Sequence, residues 1–142
     1  MDPLVVKSAM QLSKGRILYI EDHVDTRELV SLVLSQNEYE VTVRGTIADG
    51  LPLAQSGKFD LILLDSWLPD GSGLEFCKQI RQRDNLTPIL FYSAAAYETD
   101  RHEAIAAGAQ GYLVKPSQNA ELSELISILI DEFRKRFEAA QP

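Results

Sequence analysis

Leu61-Ile62-Leu63-Leu64-Asp65 decides how the rest of the chain is read. Four consecutive apolar residues stopped by an acid suit a short strand buried on both faces, because a half-exposed strand would alternate polar and apolar positions. The same grammar recurs on either side. Upstream, Arg16-Ile17-Leu18-Tyr19-Ile20 is stopped by Glu21-Asp22, and Tyr39 to Val43 alternates in strand fashion before Arg44-Gly45. Downstream, Pro88-Ile89-Leu90-Phe91-Tyr92 ends at Ser93, and Tyr112-Leu113-Val114 ends at Lys115-Pro116.

Helical signals fill the intervals. Asp25 and Glu28 make a cap-like start for a helix carrying Leu29, Val30, Val33 and Leu34. Thr46 opens a second helix with Ala48, Leu51 and Leu53, but Gly50 and Pro52 lie inside it. An interior proline removes a hydrogen bond and costs about 3 kcal/mol, which predicts a short or kinked element. Ser72 and Glu75 form a capping-box pattern after Pro69-Asp70-Gly71-Ser72-Gly73, ahead of Leu74, Phe76, Cys77 and Ile80. A helix from about Thr99 to Ala107 stops at Gly108, and a last one runs from about Asn119 to Phe137 with a wide apolar stripe.

Five strand–helix pairs without a hairpin signal imply a parallel sheet, since parallel neighbours need crossover connections. Right-handed crossovers place helices on both faces. The expected fold is therefore α/β: a doubly wound, three-layer (βα)5 sandwich, flavodoxin-like, with strand order 2-1-3-4-5. Residues 1–14 show no sustained period and read as an N-terminal extension, 15–137 as the domain, and 138–142 as a tail.

Composition narrows the function classes. Hydrophobic residues make up 45% and charged residues 25% of 142 positions, enough for one packed core. A net charge of −7 argues against a general nucleic-acid or anionic-membrane binder. Cys77 is the only cysteine, so no intrachain disulfide can form, and a reducing cytoplasmic setting fits. No stretch approaches the roughly 18 apolar residues of a membrane span, and Met1 to Lys14 lacks a secretory signal.

In an open parallel sheet, ligands bind beyond the carboxyl ends of the strands, near the point where strand order reverses. Glu21-Asp22, Asp65, Ser93 and Lys115 all stand at such ends. Taken singly, each has an ordinary explanation as a cap, a loop residue or a solvated terminus. Together they put three carboxylates, a hydroxyl and an amine at one edge. Clustered carboxylates repel, so one or more stays protonated unless a cation compensates. Mg2+ suits such a set, taking one or two carboxylates and leaving positions for water and phosphate. An aspartate held beside it can attack phosphorus, with Lys115 as a point charge for the phosphate.

From Arg16 to about Phe133 the chain resembles the receiver domain of bacterial response regulators. Ile20-Glu21-Asp22, Leu63-Leu64-Asp65, Leu68-Pro69-Asp70-Gly71, Tyr92-Ser93-Ala94 and Gly111-Tyr112-Leu113-Val114-Lys115-Pro116 carry the likeness, in order and at matching intervals. The resemblance implies that Asp65 accepts a phosphoryl group from a histidine kinase or phosphotransfer protein. Asp22 and Asp65 would bind Mg2+, with Glu21 acting through water and the Trp67 backbone carbonyl completing the protein's share. Ser93 would be the switch hydroxyl, Tyr112 the aromatic that changes rotamer with it, and Lys115 the phosphate contact; the Lys115-Pro116 bond is often cis in the family. An unnamed downstream protein would read the switched surface, and a dimer through the last strand and helix is a further expectation. Such a domain is not an enzyme beyond catalysing its own phosphorylation and dephosphorylation.

Competing readings are separable. An aspartyl-intermediate phosphatase commonly has a second acid two residues after the nucleophile, where this chain has Trp67. A flavin carrier needs a phosphate-cradling Ser/Thr/Gly loop after the first strand, and Glu21-Asp22-His23 stands there instead. An interaction module of the same fold, independent of phosphorylation, remains the alternative. His23 and His102 read as surface residues without a role. Trp67 is expected to flank the pocket and, facing the small Ala94-Ala95-Ala96, to exclude hydrolytic water and slow self-dephosphorylation.

Overall fold

A computed structural model describes residues 13–117 and 119–141 of the chain. The expected extension at 1–14 therefore lies outside the described residues, apart from Ser13 and Lys14. The ordered elements alternate as anticipated: β1 (Gly15–Ile20), α1 (Val24–Gln36), β2 (Tyr39–Arg44), α2 (Ile47–Ala54), β3 (Leu61–Leu64), α3 (Gly73–Arg81), β4 (Ile89–Ser93), α4 (Glu98–Ala106), β5 (Gly111–Val114) and α5 (Asn119–Ala140). The five strands form one parallel sheet in the order β2-β1-β3-β4-β5.

Sequence pattern and layer structure agree residue by residue. Along β1 and β3, Leu18, Ile20, Ile62 and Leu64 face one core, with Phe76, Cys77 and Ile80 of α3 and Ala104 of α4. Their neighbours Ile17, Tyr19, Leu61 and Leu63 face the other, with Val30 and Leu34 of α1 and Leu122, Ile126, Leu129 and Ile130 of α5. Both faces of the central strands are covered, which is why the runs are continuously apolar. Crossover helices on both faces leave the carboxyl ends of β1 and β3 adjacent, with Ile20 paired to Leu64 in register.

Several local expectations need correction. His23, not an acid further along, caps α1: its side chain accepts from the Thr26 amide. Glu98, one residue before the expected start, opens α4, and Gly108 sits past its end at φ +111°. The last helix continues to Ala140, three residues beyond its expected end. The chain also contains a hairpin that no periodic signal announced. Trp67–Leu68 pairs antiparallel with Gly71–Ser72, directly after β3. Two-residue strands are too short to show an alternation. The second helix is short, at 8 residues, as Gly50 and Pro52 required.

Candidate functional site

The carboxyl end of β1 delivers Glu21 and Asp22, and the carboxyl end of β3 delivers Asp65. The Asp65 amide donates to the Ile20 carbonyl at 3.2 Å, tying the two strand ends together just where the acids begin. One carboxylate oxygen from each of Glu21, Asp22 and Asp65 lies within 4.8 Å of the others. Their surroundings differ. Glu21 is 1% exposed, Asp65 is partly buried, and Asp22 is open to solvent.

Lys115, immediately after β5, supplies the cation. Its Nζ contacts Glu21 Oε1 directly and lies 3.6 Å from Asp65 Oδ1. Taking an ion pair out of water carries a desolvation cost, which the direct contact of ammonium and carboxylate offsets. The Lys115–Pro116 peptide is cis, in line with the family likeness. Asp65 also accepts from the Ser66 amide at 2.9 Å. Burial nevertheless pushes its carboxyl up to about 6; nearby Lys115 opposes this and Glu21 adds to it. The charge crowding anticipated from sequence is real, with desolvation as the larger cause.

Ser93 and Tyr112 are both bonded to the loop that follows β4. Ser93 is buried at the end of β4; its hydroxyl accepts from the Ala95 amide at 3.2 Å, and its carbonyl accepts from the Lys115 amide at 2.8 Å. Tyr112 is turned inward, stacked on Phe91 with centroids 5.9 Å apart. Its hydroxyl donates to the Ala95 carbonyl at 2.6 Å. The loop after Ser93 is thus held from β4 and β5 together.

Trp67 departs from expectation. Its side chain is 71% exposed, lining a small cleft with Ser66, Ser72, Leu74, Phe91, Asp100 and Glu103. An indole so open to water does not seal a pocket, so the shielding role has no geometric support. Two residues were missed as well. Arg27 of α1 donates from Nη1 to the Glu21 carbonyl at 3.3 Å, and Asp70 binds the start of α2. Neither contact follows a periodic rule, and Asp70 reaches across more than twenty positions.

The donor chemistry fits a hard divalent cation. All three groups are carboxylate oxygens, and the exposed Asp22 leaves one side open for water or phosphate, as Mg2+ prefers. Comparison with known proteins agrees. The model of the response regulator receiver domain matches residues 17–127.

The chain belongs to the response regulator receiver family.

Among curated relatives, this receiver is 38% identical over 117 residues to a probable transcriptional regulatory protein of Picosynechococcus, covering 78% of this chain and 47% of that one. The receiver spans about half the length of the curated relatives it matches. Among solved structures, a CheY-like receiver domain protein of Methanospirillum hungatei superposes with a TM-score of 0.81 at 27% identity, covering 89% of this chain and 99% of that one. The receiver domain of the sensor histidine kinase PA1611 of Pseudomonas aeruginosa, solved with a magnesium ion coordinated in its active-site cleft, superposes at 0.76 with 28% identity, covering 82% and 98%. Among the described residues of this receiver, no helix is long and apolar enough to cross a membrane.

Proposed function

We propose that this receiver, over residues 15–137, takes a phosphoryl group onto a carboxylate oxygen of Asp65 from a phosphohistidine of a histidine kinase or phosphotransfer protein. The Asp65 oxygen forms the new P–O bond as the donor's P–N bond breaks, and the imidazole keeps the bonding electron pair. Bound Mg2+ would supply charge neutralisation for the phosphoryl oxygens. Asp22 and Asp65 would hold it directly, Glu21 through water, and Trp67 through its backbone carbonyl. The magnesium-bound receiver of Pseudomonas aeruginosa supports the choice of ion.

The chain's own residues do the remainder. Lys115 exchanges part of its contact with Glu21 for a phosphoryl oxygen, and Ser93 turns its hydroxyl onto another. Rotation of Ser93 draws on the Ala95 backbone, to which the Tyr112 hydroxyl is bonded, so Tyr112 repositions with it. A downstream protein reads the altered surface near β5 and α5, in the cytoplasm, and self-association through that surface belongs to the same reading. Beyond its own phosphorylation and dephosphorylation the domain turns over no substrate.

One observation carries this reading: three carboxylates within 4.8 Å, with an ammonium 3.6 Å from the one that ends β3. Incubation with acetyl phosphate, with and without Mg2+, followed by intact-mass measurement, tests it. A gain of one phosphate that requires Mg2+ and vanishes in Asp65→Asn is expected. No gain in the wild type would favour the phosphorylation-independent interaction module, and a gain that persists in Asp65→Asn would move the acceptor elsewhere.

A further inference from the structure

The carboxylate of Asp70 accepts two hydrogen bonds from the opening turn of α2. Oδ1 takes the Ile47 amide at 2.8 Å and Oδ2 the Ala48 amide at 3.0 Å. The third amide of that turn, from Asp49, is satisfied locally by Thr46 Oγ1 at 3.1 Å, and the Gly50 amide already reaches the Thr46 carbonyl. The first turn of α2 is thus completed by a residue outside the helix. Both bonds hold the Asp70 carboxyl below the usual carboxylate range. Asp70 itself is exposed and is not a member of the metal-type cluster, which among the described residues consists of Glu21, Asp22 and Asp65.

Such a contact has two ends, and the second is the hairpin. Asp70 occupies the turn between Trp67–Leu68 and Gly71–Ser72, the segment that carries the backbone of Trp67. Gly71, at φ +154°, lies so close that a Cβ there would meet Ile47 Cδ1 at 2.8 Å. On its other side α2 presses on β1, since a Cβ on Gly50 would meet Ile20 Cδ1 at 2.5 Å. Ile20 immediately precedes Glu21 and Asp22. Helix α2 therefore bridges the two strand ends that supply the acids, and the Asp70 carboxylate closes that bridge.

We propose that Asp70 is a positioning residue for the cation site: by clamping the hairpin onto α2 it fixes the Trp67 carbonyl relative to Glu21, Asp22 and Asp65. The inference rests on the metal reading given above and adds a residue that touches neither cation nor phosphate. An eight-residue helix containing Gly50 and Pro52 has little stability of its own, so a charged cap on its first turn has leverage. Partners that orient a metal's ligands typically alter affinity by about 10–100-fold when removed, and a carbonyl held at one remove belongs at the low end.

Trp67 is the only tryptophan of the chain and sits in the hairpin, so its fluorescence reports a Mg2+ titration, with calorimetry as a second readout. Asp70→Ala is expected to weaken Mg2+ binding by about tenfold. Asp70→Asn, which keeps an acceptor oxygen but not the charge, is expected to fall between wild type and Asp70→Ala, and it decides the matter should Asp70→Ala not fold. Thr46→Ala removes the local cap of the same helix without touching the hairpin and should leave affinity within about twofold. Wild-type affinity in the Asp70 variants overturns the inference while the metal reading stands. An equal loss in Thr46→Ala overturns it too, because general loosening of α2 would then suffice. A wild type without saturable Mg2+ binding by either readout removes the metal reading itself and the inference with it.

Discussion

Asp65 carries its negative charge against the preference of its surroundings. Its side chain is only 16% exposed, and burial lifts its carboxyl from an ordinary value of 3.8 to about 6. The folded state therefore holds a proton there more tightly than the unfolded chain does. A raised carboxyl contributes stability in acid, fully present below about pH 3.8 and lost as pH rises through about 6. Comparing urea unfolding of wild type and Asp65→Asn in Mg2+-free buffer isolates this contribution. The stability difference should move in favour of Asp65→Asn between about pH 4 and about pH 7. A difference that does not change with pH would show that the site imposes no strain on the ionised acid. Trp67 teaches the opposite lesson at the same scale. Its place two residues after Asp65 suggested a shield, yet sequence proximity does not set side-chain direction, and the indole faces water.

Helix α3 begins against the backbone of Asp65, the proposed phosphoacceptor. Gly73 is its first residue, and the Gly73 amide donates to the Ser66 carbonyl at 2.8 Å. A Cβ at Gly73 would collide with the Asp65 carbonyl oxygen, approach Phe91 Cε2 at 3.0 Å and Ser66 Cα at 3.3 Å. Gly73→Ala gains up to about 1 kcal/mol of helix propensity but forces backbone apart beside Asp65, and overpacking costs about 1–3 kcal/mol. A lower urea midpoint and slower labelling by acetyl phosphate are expected together; unchanged values would mean that the loop yields freely. At this scale the legible part was whatever depends on neighbours in sequence. Continuous apolar runs announced the strands, Thr46 and Ser72 announced their helices, and Gly50 with Pro52 announced a short α2. The hairpin at Trp67–Ser72 was not legible, because two-residue strands have no period, nor was Asp70's attachment to α2, which is a long-range pairing. The last helix outran its expected end because Glu138, Ala139 and Ala140 are good helix formers without a stop signal.

Across the whole molecule, the site exists only because the fold assembles it. Glu21 and Asp22 leave β1, Asp65 leaves β3, and Lys115 leaves β5, so the unfolded chain has no comparable cluster. The strand-end acids were readable in the sequence because parallel topology sends every carboxyl end to one edge. The pairing of Lys115 with Glu21 was not, because choosing among three nearby acids is a matter of tertiary geometry. A ligand that binds only the folded state stabilises it by mass action, by about 2.7 kcal/mol at a hundredfold excess over its dissociation constant. Mg2+ should therefore raise the melting temperature of the wild type by about 5–10 °C near saturation, above the effect of NaCl at equal ionic strength. Asp22 is the exposed member of the cluster, so Asp22→Asn should change Mg2+-free stability by no more than about 0.5 kcal/mol. The same substitution removes a proposed direct ligand and should abolish most of the Mg2+-dependent rise. If Asp22→Asn melts with the full Mg2+ response of the wild type, the cation acts elsewhere on a surface of net charge −7, and the edge of the sheet is not its site.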